Sequence, residues 1–172
     1  MVILTIAVVL VGAVVLLDLV VTLGLVKRLR SHAELLNKLA KGQPMDAGAL
    51  PVGTPIAPFT ATTTDGLEVS PSGGTVLGFF STRCDTCAES LPGFLTYAEP
   101  LGRERVLAIA HGDEPALAEL VERLSKVAQV VIEEEDGAIT RAVGVRGLPT
   151  IAVLDDNLRV VSSGFQAGQL TA

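Results

Sequence analysis

The sequence predicts an α/β domain, a central mixed sheet flanked by helices, carried behind one N-terminal transmembrane helix. Three observations lead there. Short apolar runs alternate with helical patterns between residues 75 and 143. Two β-rich runs joined at Asp156-Asn157 then close the set. At the other end, Val2 to Val26 holds one ionisable side chain, Asp18, among Val, Leu, Ile, Ala, Gly and Thr.

Taken in order, residues 1–26 read as a membrane anchor. As a helix, Val2–Val26 reaches roughly 37 Å, against about 30 Å for the hydrocarbon core of a bilayer. Lys27, Arg28 and Arg30 behind it suit a headgroup region. A cleaved signal peptide would show a basic front and a shorter apolar core, and neither is present. Residues 27–41 carry Leu29, Leu35, Leu36 and Leu39 on a polar background and read as a helical stalk. Residues 42–58, "GQPMDAGALPVGTPIAP", hold too many Gly and Pro for a regular element and read as a linker.

The domain proper is expected over residues 59–172. "PFTATTTDGLEVS" places β-branched residues around an Asp65-Gly66 turn, a hairpin pattern. "TVLGFF" (75–80) and "RVLAIAH" (105–111) are apolar runs short enough for buried strands. Between them a helix is expected from Cys84 to about Pro100, despite Pro92. Asp113 is expected to cap the next helix, with Pro115 in its first turn and an apolar face of Leu117, Leu120, Val121 and Leu124. "QVVIE" (129–133) is a further strand, and Asp136 can cap a short helix ending near Val143. "TIAVLDD" and "LRVVSSG" are the last two strands.

The net charge of −6, concentrated outside the basic residues near the anchor, argues against a nucleic-acid partner, which needs a basic surface. Both cysteines of the chain lie in Cys84-Asp85-Thr86-Cys87, between a strand and a helix. A helix start offers unpaired N–H groups and the positive end of the dipole, so a sulfur there is stabilised as thiolate, the nucleophile of disulfide exchange. Cys84 would attack, and Cys87, three residues on, would resolve. Arg83 should favour the thiolate and Asp85 should oppose it. Two inert cysteines, or half of a zinc site, remain open; zinc takes four ligands, and His32 and His111 are the only histidines.

These residues resemble the thioredoxin superfamily. "TVLGFFSTRCDTCAESLP" is similar to its strand, active-site turn and helix, with Pro92 where that helix is kinked. "VGVRGLPTIAVLDD" (143–156) is similar to the segment through the family's active-site proline. "GFQAGQL" (164–170) is similar to the family's glycine and the start of its final helix. The lead-in and the N-terminal anchor look like the membrane-tethered TlpA/ResA-type and MauD-type proteins. The resemblance implies a thioredoxin-like fold and a protein disulfide oxidoreductase active in maturation of exported or redox proteins. It implies a cis Leu148-Pro149 peptide facing the sulfurs, with Pro149 beside the catalytic pair. Leu148 would pair with an extended substrate, and Arg83 is taken as a second substrate contact. No cofactor or metal is expected. The expected partners are proteins with cysteines or disulfides, a thiol electron donor such as a polytopic membrane protein, and the lipid bilayer through residues 2–26.

The chain departs from the family at several positions. Arg83 stands where a Trp precedes the first cysteine, and Gly78 where thioredoxin buries a carboxylate that moves protons. Ser90 falls where many TlpA/ResA relatives have a glutamate, so Glu68 and Glu89 are the nearest substitutes. The sequence stops at Ala172, where the final helix should begin, so that helix is expected to be largely missing. The membrane side is signalled in two directions: basic residues only behind the span point to the cytoplasm, and the resemblance points to the outer face, which is the reading preferred. Asp18 is either a contact for a membrane partner or a neutralised acid. Two other functions fit the cysteines, a peroxiredoxin-like thiol peroxidase and a Sco-like copper chaperone using Cys84, Cys87 and His111.

Overall fold

A computed structural model describes residues 49–170, together with Gly12. All described strands and helices belong to the second of two units, Asp46–Ala172. The anchor, Asp18, the stalk with His32, and most of the linker lie outside the described residues. Among the described residues no helix is long and apolar enough to cross a membrane.

The expected alternation is present. Strands β1 (Ala61–Thr62) and β2 (Glu68–Val69) form a small hairpin, and Gly66 supplies the positive φ of its turn. The main sheet has five strands, β3 (Val76–Ser81), β4 (Val106–His111), β5 (Gln129–Ile132), β6 (Thr150–Leu154) and β7 (Val160–Gly164). Its order is β5-β4-β3-β6-β7. The first three strands are parallel, and β6 and β7 run antiparallel. β3 is central and covered on both faces, which is why all six of its residues are buried and apolar or small.

Helices α1 (Asp85–Ala98) and α2 (Ala116–Leu124) cover one face, and α3 (Ala138–Val143) covers the other. On α1 the buried stripe is Cys87, Leu91, Phe94 and Ala98, at spacings of four, three and four. The stripe packs on Val76, Phe80 and Ile151. Leu50 and Ile56, inside the stretch read as linker, are buried in the opposite core with Leu77, Phe79 and Ile139. The same stretch is sewn along β7: Gly53 N–H donates to Val160 O at 2.7 Å and Val160 N–H to Thr54 O at 3.0 Å. It thereby covers an edge that would otherwise expose unpaired backbone groups.

Two expected helix caps are overturned. Pro115, not Asp113, is the N-cap of α2, and no side chain caps that helix. The Asp113 carboxylate is turned toward Arg83 instead. At α3 the N-cap is Gly137, and the capping expected of Asp136 comes from Glu133. Its carboxylate accepts the N–H of Ile139 at 3.0 Å and of Thr140 at 2.8 Å, and the Thr140 hydroxyl at 2.7 Å. The last described element is a 3-10 turn, Ala167–Gln169, closed by reciprocal bonds between Gln166 and Gln169. Ala167 and Leu170 pack against the α1 side of the core.

Candidate active site

The end of β3 delivers the chain into the cysteine turn. Cys84 is the N-cap of α1, in extended conformation, and its Sγ accepts the Cys87 N–H at 3.1 Å. The same N–H also donates to Cys84 O at 3.0 Å, so it is shared between carbonyl and sulfur, and its bond to sulfur is available to stabilise a thiolate. Cys84 and Cys87 are joined as a disulfide, with Cα atoms 5.2 Å apart. Cys84 is partly exposed, whereas Cys87 is only 3% exposed. Of the two, Cys84 is the more accessible residue.

The Leu148-Pro149 peptide is cis. The Leu148 carbonyl oxygen lies 3.5 Å from Cys84 Sγ, a contact in the disulfide and an acceptor for the thiol once the bond is reduced. Thr150 Oγ1 donates to Gly147 O at 2.7 Å, which ties the loop to the start of β6. The sequence-derived site is thus brought together: Arg83, Cys84 and Leu148 line one cleft of about 350 Å³. Glu135, Asp136 and Arg146 form its charged rim. A larger cleft of about 510 Å³, around Leu50, Thr54 and Arg146, includes neither cysteine.

Arg83 has less effect on Cys84 than its charge alone suggests. Its guanidinium makes a forked bond to Asp113, with Nη2 donating to Oδ2 at 2.7 Å and to Oδ1 at 2.8 Å, and Nε to Oδ2 at 3.0 Å. Glu135 Oε1 is 3.6 Å from Nη1. The bond to Asp113, then the charges of Asp113 and Glu135, push the Arg83 pKa above its ordinary value. Arg83 therefore stays cationic, but it is answered by two carboxylates. The expected gain for the thiolate is offset.

At Gly78, where the resemblance would place a buried carboxylate, no side chain has room. A Cβ at Gly78 would stand 2.7 Å from Phe94 Cζ and 3.0 Å from Phe80 Cε2. The two rings, 4.9 Å apart and tilted by 54°, fill that space. Ser90 is buried and donates its hydroxyl to the Cys87 carbonyl at 3.3 Å. Neither Glu68 nor Glu89 lines a cavity with Cys87.

A second cavity, of about 170 Å³, lies between α1 and α2. Cys84 and Cys87 are both among its lining residues, and Glu119 is its single carboxylate, with Arg123 one turn further along α2. No sequence signal marks Glu119: it falls on the polar side of a helix whose apolar face alone was legible. Among the described residues no group of three His, Cys, Asp or Glu can hold a metal. His111 is fully buried, with Nδ1 3.0 Å from Glu133 O. By strand alternation it faces the α3 side with Leu107 and Ile109, away from Cys87, so the copper set of Cys84, Cys87 and His111 does not assemble.

No family model matches the chain, and no curated protein does. Solved structures do. The thioredoxin domain of a thiol-disulfide oxidoreductase from Bacteroides vulgatus superposes with a TM-score of 0.55 at 16% identity, over 70% of this chain and 93% of that one. A thiol:disulfide interchange protein from Bacteroides sp. gives 0.54 at 16% identity, over 70% and 85%. A DsbF homologue from Corynebacterium diphtheriae gives 0.52 at 19% identity, over 65% and 76%. The chain has the thioredoxin-like fold.

Proposed function

We propose that this protein is a thiol–disulfide oxidoreductase acting on the cysteines of other proteins, in the manner of the TlpA/ResA-type relatives. The observation that carries the reading is the pairing of a partly exposed Cys84, bonded to the Cys87 amide, with the Leu148 carbonyl 3.5 Å from its sulfur. Reduced Cys84 attacks a substrate disulfide as thiolate, and one substrate sulfur leaves with a proton. Cys87 then gives up its proton and attacks Cys84 Sγ, and the second substrate sulfur leaves as a thiol. The substrate gains two electrons and two protons, and the Cys84–Cys87 disulfide forms. The reverse sequence oxidises a dithiol. The cleft at Leu148 takes the substrate strand, paired through backbone groups. In this reading residues 2–26 tether the domain to a bilayer on its outer face, supported by their apolar run.

Insulin reduction by the full chain with a dithiol donor tests the proposal. Wild type turns over, and the Cys84→Ser variant falls to the rate of the donor alone. Activity retained in that variant, or wild-type peroxide consumption outpacing disulfide reduction, overturns it.

A further inference from the structure

Resolution of the mixed disulfide requires a proton to leave Cys87, a sulfur that is only 3% exposed. The inner route is closed, since Phe80 and Phe94 occupy the space beside Gly78. Ser90 is spent on the Cys87 carbonyl. The outer cleft at Leu148 includes Cys84 and not Cys87. What remains is the cavity between α1 and α2, where Cys87 and Glu119 share one lining. Its volume of about 170 Å³ is ample for water. Ser81 and Thr82 add hydroxyls to its wall.

We infer that Glu119 is the proton acceptor for Cys87, working through water in this cavity. The inference rests on the oxidoreductase reading and assigns a group that reading leaves open. As Cys87 Sγ attacks Cys84 Sγ, the Cys87 S–H bond breaks and its proton passes through water to the Glu119 carboxylate. The Cys84–substrate S–S bond breaks, its electron pair stays on the departing sulfur, and Glu119 returns the proton to solvent. In the oxidising direction Glu119 supplies the same proton. Arg123 lines the same cavity.

The test separates the two sulfurs. An excess of the chromogenic aromatic disulfide 5,5′-dithiobis(2-nitrobenzoate) is mixed with the reduced full chain. Attack by Cys84 releases one coloured thiolate, and resolution by Cys87 releases the second. In Glu119→Gln the first phase is expected at the wild-type rate. The second is expected to slow by about 10²-fold near neutral pH, the low end for loss of a general base. The deficit should narrow as the pH rises and hydroxide takes over removal of the proton. Glu119→Asp should recover part of the rate, and Glu89→Gln should match wild type. A second phase within about twofold of wild type at every pH overturns the assignment. So does a deficit that does not change with pH, which marks a structural effect. The absence of any fast first phase in wild type instead overturns the oxidoreductase reading itself.

Discussion

Gly78→Ala tests the packing that stands where a proton-relay carboxylate would otherwise be. The new Cβ would lie 2.7 Å from Phe94 Cζ and 2.9 Å from Phe94 Cε2. Carbon atoms rest at about 3.5–4.0 Å, so the ring must retreat by roughly 1 Å. Phe94 and Phe80 are both fully buried and in mutual contact, which leaves the ring no free direction. Overpacking of this kind costs about 1–3 kcal/mol. Replacing Gly by Ala also narrows the unfolded ensemble, a gain of about 0.4–1 kcal/mol. The clash is the larger effect, and a net loss of about 1–2 kcal/mol is expected. In urea denaturation, with a slope of about 1.5 kcal/mol per molar, the midpoint should fall by about 1 M. Phe94→Leu removes the ring atoms that make the closest contacts, so the double variant should be more stable than the sum of the single losses by at least ~0.5 kcal/mol. A Gly78→Ala midpoint at or above wild type, or strict additivity with Phe94→Leu, refutes the reasoning. Gly78→Asp should fare worse than Ala, because it adds an unpaired buried carboxylate to the same clash.

Glu133→Ala should lower stability by about 2 kcal/mol in a thermal melt, since three donors at the start of α3 lose their acceptor, while Asp136→Asn should stay within about 0.5 kcal/mol. Equal effects at the two positions would refute Glu133 as the cap. Asp113→Asn releases Arg83 from one of its two paired carboxylates and should move the pH midpoint of Cys84 alkylation down at low salt. Arg83→Gln should move it up, and shifts of the same sign in both variants would refute the charge balance drawn around Cys84.

The sheet's order of elements was legible because its signals are local. "TVLGFF" and "RVLAIAH" are apolar runs bounded by turn residues, and they became β3 and β4 within a residue at each end. The cysteine turn was legible for the same reason: Cys84 and Cys87 are three residues apart, and a helix start fixes what they meet. Leu148-Pro149 was found through its surrounding motif and lies against Cys84, 64 residues earlier. The caps differ because the Asp113 carboxylate is drawn to Arg83, which leaves α2 without a side-chain cap, and because Glu133 takes the amides expected to go to Asp136.

By itself the sequence determined the alternation of strands and helices and the helix-start cysteine pair, since each depends on neighbours along the chain, and Leu148-Pro149 was expected beside that pair only through the resemblance. Tertiary structure alone decided the electrostatics and the proton path. Arg83 meets Asp113 across 30 positions, Phe94 fills the space beside Gly78, and Glu119 comes to line a cavity with Cys87 only once α1 and α2 lie on the same face of the sheet. The physical reason is that charge balance and exclusion of volume act through space, and no periodicity in the sequence encodes which distant side chains the fold will bring together.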